Sequence, residues 1–477
     1  MKMRRAVICG AGIAGLAAAQ RLDAHGWDVV LVEKAPGPRR QGYMIDFFGL
    51  GYDAARKMGV LPRLKELGYR LDEVRYLDES GRLRARLDYE RFDRVLGGRL
   101  LSIMRPDLEL ALRERVAGRV DLRYGCGVTG VENLEGGGDG GRDGDGGHGG
   151  RDGGDGGGGR DRDGGRDGHG GRDGHDGRDG HDGRDGHDGR DGHDGRSGRD
   201  GNDGHGKGGV RVTLTDGTTL DADLLIGADG IHSTVRRLVF GEEERFFRYL
   251  GFHTAAYVFD DPEVYKAVNG RFCLTDTAGR QMGLYGLRDG RVAVFTVHRA
   301  TDPALPEDPR AAVRRACSTL GWLVPRALER CPEPSEVYYD QVAQIEMPRW
   351  SRGRVTLLGD ACGAVSLLAG QGASLAAAGA YLLGERLATA DPASPATSPG
   401  SVESALARYQ EQWRPVVTEK QKVGRSGAEW FLPSSPARLR LRRLALRLMN
   451  LPGPDRYFGT ALIGKSAATL ESLSGTR

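Results

Sequence analysis

The chain has 477 residues, enough for two or more domains, and 77 of them are glycine. Nearly half of the glycines and seven of the eleven histidines lie between Gly136 and Gly209; there 12 Lys and Arg against 18 Asp give −6, so the net +3 leaves about +9 for the other 403 residues. That excess suits an anionic cofactor and is too diffuse for nucleic acid, no apolar run is long enough for a membrane span, and six scattered cysteines without a CxxC indicate a reduced, cytoplasmic protein.

Met1-Lys-Met-Arg-Arg ahead of Ala6–Ala19 has the outline of a signal peptide. The fixed glycine spacing favours a buried strand entering a turn instead. Ala6–Cys9 reads as a short apolar strand, Gly10-Ala-Gly12-Ile13-Ala14-Gly15 as a glycine turn, Leu16–Ala24 as a helix, and Asp28–Val32 as a second strand ending in Glu33. Gly10 permits the tight turn, Gly12 lets a pyrophosphate approach bare backbone, and Gly15 lets the helix pack closely on the strand. The helix N-terminus offers free N–H groups to phosphate, and Glu33 sits where a carboxylate accepts ribose hydroxyls. This order predicts a dinucleotide site without separating FAD from NAD.

Val74–Tyr76 and Leu83–Leu87 form a candidate hairpin. A second, between Val128–Leu134 and Val210–Leu214, is interrupted by the glycine stretch. From Gly165 to Gly204 glycine stands at every third position in a Gly-His-Asp-Gly-Arg-Asp repeat. Without proline a collagen helix is excluded, and without recurring apolar residues so is a calcium-binding β-roll. His175, His181, His187 and His193 permit loose metal binding, but a disordered insertion outside catalysis is expected.

Asp223-Leu-Leu-Ile-Gly-Ala-Asp229-Gly230-Ile-His232-Ser233-Thr-Val-Arg236 reads as a buried strand, a turn and a helix. Phe252–Val258, Gly270–Thr275, Gln281–Leu287 and Val292–His298 suggest an antiparallel sheet with turns at Ala278-Gly279 and Asp289-Gly290. Arg354–Gly359 is another buried strand, closed by Asp360-Ala361, and Gly370-Gln371-Gly372 opens an alanine-rich helix from Ala373 to about Ala390. After the linker Pro392–Gly400, helices are predicted over Ser404–Lys422 and Ala437–Met449. In the last, Leu441, Leu444 and Leu448 recur at helical spacing among arginines, so docking across the dinucleotide-binding domain is expected, with a membrane-surface or partner-binding basic helix as the alternative.

Three ordered motifs, Gly10–Gly15, Asp229-Gly230 and Gly359-Asp360 with Gly370–Gly372, resemble the single-component FAD-dependent aromatic hydroxylases, the para-hydroxybenzoate hydroxylase-like superfamily that includes tetracycline-inactivating monooxygenases. The resemblance implies an α/β fold: a Rossmann-type FAD-binding domain of three-layer ββα form, an antiparallel-sheet substrate domain and C-terminal helices. The FAD-binding domain would comprise residues 1–68, 101–135, 210–244 and 349–430, the substrate domain 69–100 and 245–348, the insertion 136–209 and the C-terminal helical segment 431–477. It further implies cofactor contacts from Gly10, Gly12, Ile13, Ala14, Gly15, Glu33, Lys34, Arg40, Arg105, Asp229, Gly230, Arg236, Gly359, Asp360, Gly370, Gln371, Gly372 and Ala373. Phe48, Met282, Tyr285 and Phe295 are candidate pocket residues, with ordinary sheet core as the competing reading.

The implied reaction consumes NADH or NADPH and O2, passes through a flavin C4a-hydroperoxide and hydroxylates an aromatic or polyketide-like small molecule in a monomer or homodimer; it needs neither a protein nucleophile nor a metal. His232 is a candidate proton relay, with a helix-start role favoured. Cys362 and Gly363 replace the family's Ala-His, and Leu367 stands where relatives carry proline. These departures leave open Baeyer–Villiger chemistry or a geranylgeranyl-reductase-like activity; a flavoprotein that sequesters its ligand without turning it over is the alternative of a different class.

Overall fold

The computed structural model describes residues 4–39, 41–134, 208–449 and 470–474. The histidine repeat and Arg40 therefore lie outside the described residues.

The apolar run after Arg5 becomes β1 (Arg4–Cys9), which pairs in parallel with β2 (Trp27–Glu33) on one side and β11 (Leu224–Gly227) on the other. β7 (Asp121–Tyr124) extends the sheet beyond β2, and β18 (Val355–Leu357) with the antiparallel β17 (Ser351–Arg352) extends it beyond β11. The three motif strands β1, β11 and β18 are thus adjacent, and their C-terminal ends open on one edge. Helix Ile13–Ala24 is buried along eight of its twelve residues and packs on β2, helix Arg105–Val116 and the alanine-rich helix Gly372–Leu387. A three-stranded sheet of β8 (Val128–Leu134), β9 (Gly209–Leu214) and β10 (Thr219–Ala222) lies against β1 and β11 as a further layer. The β8–β9 pairing is the hairpin expected around the insertion.

The second large sheet has seven strands in the order β16 (Tyr338–Ile345), β12 (Phe247–Phe259), β15 (Val292–Arg299), β14 (Arg280–Gly286), β13 (Arg271–Thr277), β4 (Glu73–Leu77), β5 (Leu83–Asp88). It is mixed rather than antiparallel, because β4 pairs in parallel with β13. Helices Pro262–Val268, Pro309–Cys317 and Val324–Glu329 cover one face around Met282, Leu284 and Val294. A two-stranded ladder, β3 (Met44–Phe48) with β6 (Leu100–Met104), stands beside the other.

The C-terminal helices depart from expectation in two ways. The first runs over Val402–Phe431, past the predicted end at Lys422 and through Pro415. Its buried stripe Trp413, Val416, Val417 and Gln421 outweighs the hydrogen bond that proline removes. The second, Pro436–Met449, docks on the seven-stranded sheet, not the flavin domain: Arg443 Nη2 donates to Asp276 Oδ1 at 2.6 Å, and Arg442 also pairs with Asp276. Among the described residues no helix is long and apolar enough to cross a membrane.

Candidate active site

The glycine turn is built as its spacing requires. Gly10 has φ +103°, and a Cβ there would stand 2.5 Å from Ala228 O; one at Gly15 would stand 1.8 Å from Gly10 O. Gly12 is different: the nearest atom to its would-be Cβ is a side-chain oxygen 3.6 Å away, so its bareness serves the adjoining cavity rather than packing. Glu33 closes the turn, accepting from Ala11 N at 2.8 Å and Ala35 N at 2.9 Å.

Asp229 caps the helix Thr234–Phe240, accepting from Thr234 N (2.7 Å), Val235 N (3.1 Å) and Ser233 Oγ (2.5 Å). Burial still raises its carboxyl above the ordinary range. Arg236 does not reach the cavity. Its side chain is fully buried, and its guanidinium donates to Ala361 O (3.0 Å), Ile231 O (2.7 Å) and Glu243 (2.5 Å). Helical geometry turns this position inward, so it clamps the Asp229 loop to the Asp360 loop.

Gly359 has φ +64° and turns the chain so that Asp360 projects into the cavity. Asp360 is exposed to the cavity, yet the protein around its carboxylate raises its pKa by desolvation; Arg105 partly offsets this, and Asp340 adds to it. Arg105 begins the helix Arg105–Val116 and pairs with Glu109 at 2.9 Å, while its Nη1 is buried without a hydrogen-bond partner among the described residues. An unsatisfied buried guanidinium nitrogen is costly, and a bound acceptor would relieve it. Gly370, Gly372 and Ala373 line the cavity at the N-terminus of the long alanine-rich helix; Gln371, at the N-cap position, is buried and does not line the cavity.

The cavity has two continuous chambers sharing Gly12, Tyr43, Arg105, Gly230, Tyr338, Asp340 and Asp360. The polar one, about 460 Å³, is walled by Gly10, Glu33, Lys34, Arg39, Asp229 and His232. The apolar one, about 360 Å³, is walled by Ile13, Ala14, Met44, Ile45, Phe272, Phe295, Val342 and Leu367, with Asp46 and Thr254 as polar insets. A charged half joined to an apolar half, with an orphaned donor at the junction, fits a dinucleotide that carries a flat ring.

Of the expected pocket residues only Phe295 lines the cavity. Phe48 packs on Phe92, their ring centroids 6.4 Å apart, and Met282 lies in the core on the helix-covered face of its sheet. Tyr285 is buried beneath β3, its hydroxyl accepting from Met44 N at 2.6 Å. Tyr43, Asp46, Thr254, Phe272, Tyr338 and Asp340 line the cavity without having been singled out in the sequence. Gly363 faces away from it: a Cβ there would meet Val417 Cγ1 at 2.7 Å, so this departure from the family serves the packing of the long C-terminal helix. Leu367, the other departure, does stand in the wall. Cys362 is buried beside the strand end, and burial pushes its thiol far above the ordinary range.

His232 stands at the mouth, Nδ1 2.8 Å from Glu243 and Nε2 3.4 Å from Asp340, its ring stacked on Phe247. The Asp340 contact foremost, with help from Glu243 and against burial, raises its pKa from 6.5 to about 9. The folded value exceeds the unfolded one, so the stabilisation is complete below about pH 6.5 and fades as pH rises through 9. Melting temperatures across that window are expected to decline in the wild type and to lose much of that decline in His232→Gln; identical slopes would refute the contact.

Two family models match the chain: an FAD binding domain over residues 184–419 and an NAD(P)-binding Rossmann-like domain over residues 8–52. An uncharacterized protein of Mycobacterium tuberculosis, MT1298, is 31% identical over 395 residues, covering 81% of this chain and 86% of its own. A flavin-dependent monooxygenase of Legionella longbeachae is 24% identical over 431 residues, covering 89% of each. The crystal structure of tetracycline destructase Tet(51) superposes with a TM-score of 0.66 at 22% identity, covering 94% of this chain and all of the other, a likeness of fold.

Proposed function

Because the chain belongs to the family that carries this FAD binding domain, we propose that it is a monooxygenase of the aromatic-hydroxylase type that uses NADH or NADPH and O2 to hydroxylate an aromatic or polyketide-like small molecule. FAD, when bound, supplies the redox chemistry; one oxygen atom enters the product, and the other leaves as water with the two electrons of the nicotinamide. The observation that carries the reading is the two-chambered cavity, charged where it meets the glycine turn and apolar where it meets the seven-stranded sheet.

In this reading the bare backbone at Gly10 and Gly12 and the first N–H groups of the helix, at Ile13 and Ala14, bind pyrophosphate, while Glu33 and Lys34 hold the adenosine end. Asp360 accepts hydroxyl donors of the ribityl chain, and Arg105 Nη1 gains the acceptor it lacks. Gly370, Gly372 and Ala373 bring a helix N-terminus to the ring, where its partial positive charge stabilises negative charge without reorganisation. Phe272, Phe295 and Leu367 keep water from the reacting face. Six buried free cysteines support a reduced, cytoplasmic setting. We further read the enzyme as a monomer or homodimer.

Asp360→Ala is expected to weaken FAD retention about tenfold or more, the loss of a hydrogen bond to a charged group, with little change in the melting of flavin-free protein; titration of apoprotein with FAD measures it. The reaction itself is tested anaerobically. FAD-loaded protein should bleach with one of the two nicotinamides, and in air its NAD(P)H consumption should rise with a true substrate. A flavin that keeps its colour with both nicotinamides without oxygen would overturn the reading.

A further inference from the structure

The helix Pro436–Met449 has five arginines and no acid. Its inner face is fully committed: Leu439 and Leu446 are buried, Arg442 and Arg443 close on the buried Asp276, and Arg442 lies over the Tyr76 ring at 5.0 Å. Its outer face carries a stripe of leucines, Leu441, Leu444 and Leu448, exposed to 65%, 52% and 53%. These positions recur at helical spacing, and leucines so exposed are costly in water unless something covers them.

What frames the stripe identifies the cover. Arg438, which also pairs with Glu429 at 2.7 Å, Arg440 and Arg447 are exposed along the same helix, and Arg447 reaches across to the carbonyl of Arg84, itself paired with Asp78 at 2.5 Å, joining the helix to the edge strand β5 at 2.6 Å. That strand presents Leu83, 48% exposed, between Arg82 and Arg84. Trp430, 47% exposed, precedes the helix, and Arg442 bonds to the next carbonyl, Phe431 O, at 2.8 Å. Leucines ringed by arginines, with a tryptophan at one end, match the layers of an anionic bilayer surface: acyl chains, phosphates, and the headgroup boundary that tryptophan favours.

We propose that the outer face of the helix Pro436–Met449, with the adjoining edge of β5, is a docking surface for an anionic phospholipid bilayer. The chain lies on the lipid and does not span it. The helix is tied to β13, whose Phe272 lines the apolar chamber, so the lipid-facing surface and the cavity wall belong to one sheet.

The test is co-sedimentation of the full FAD-loaded chain with extruded vesicles, of phosphatidylcholine alone or with one third phosphatidylglycerol. The wild type should pellet with the mixed vesicles, stay in solution with the neutral ones, and be released by high salt. Leu441→Ser/Leu444→Ser/Leu448→Ser should lower the partition coefficient about tenfold or more with flavin content and melting unchanged, since the three side chains contribute no core. Arg440→Glu, at an exposed position, should weaken binding without touching the leucines. Absence of wild-type binding to the mixed vesicles, or equal binding by the triple variant, would overturn the proposal. So would sedimentation velocity showing a self-associating wild type made monomeric by the triple variant, with neither protein pelleting; the stripe would then be an interface between copies of the chain.

Discussion

Gly15→Ala is expected to give a chain that folds poorly and purifies without yellow colour. The added Cβ would lie 1.8 Å from the carbonyl oxygen of Gly10, a backbone atom with no freedom to retreat. Gly10 is pinned from its other side, since its amide donates to Val32 O at 2.7 Å and its own Cα faces Ala228 O. The helix Ile13–Ala24 must therefore move, and its buried face is packed against the alanine-rich helix Gly372–Leu387 and the helix Arg105–Val116. Overpacking of this kind costs about 3 kcal/mol, and it shifts the N–H groups that the phosphates need. Gly12→Ala separates the two effects. Its Cβ meets nothing closer than 3.6 Å and points to the cavity, so that variant should melt like the wild type yet bind FAD weakly. Flavin content and thermal melts of both variants decide the matter: a Gly15→Ala protein with wild-type melting and full flavin would mean that helix and strand do not pack as described.

The contrast between those glycines shows which parts of the site are legible in sequence. The turn, Asp229-Gly230 and Gly359-Asp360 each act within a few residues of their strand, so local spacing carries the information. The apolar chamber is different. Its walls come from β3, β12, β13, β15 and β16, strands distant in sequence whose two faces are both covered, one by helices and one by the rest of the molecule. Alternation cannot then say which face meets the ligand, and this is why Met282 and Phe295, both apolar on adjacent strands, fall on opposite sides. β16 was not anticipated at all: Tyr-Tyr-Asp-Gln-Val-Ala-Gln-Ile is half polar, because Asp340 faces the cavity and Gln344 bonds to Val365 O. The docking of the last helix escaped for a related reason. Its leucine spacing is equally regular on both faces, and the choice is made by Asp276, a residue far away in the chain.

Arg236→Met is expected to destabilise the flavin-free protein by about 3 kcal/mol, a loss that separates a clamp from a ligand-binding residue. Methionine fills the space of the arginine stem but leaves the carbonyls of Ala361 and Ile231 without their donor in a buried setting. Glu243 is less exposed to harm: it is part-exposed and keeps His232 Nδ1 at 2.8 Å, so water and the imidazole take up its charge. The cost therefore resides in the two carbonyls, which belong to the loops carrying Asp360 and Gly230. Arg236→Lys should recover part of it, because one ammonium reaches one or two of the three acceptors that the guanidinium fork holds together. FAD affinity falls in both variants, as the loops lose their mutual registry. An arginine that touched the cofactor directly would behave otherwise, weakening FAD while leaving the unfolding of the apoprotein unchanged. Denaturant titration of the flavin-free variants distinguishes the two, and an unfolding midpoint equal to that of the wild type would transfer Arg236 from the clamp to the cofactor site.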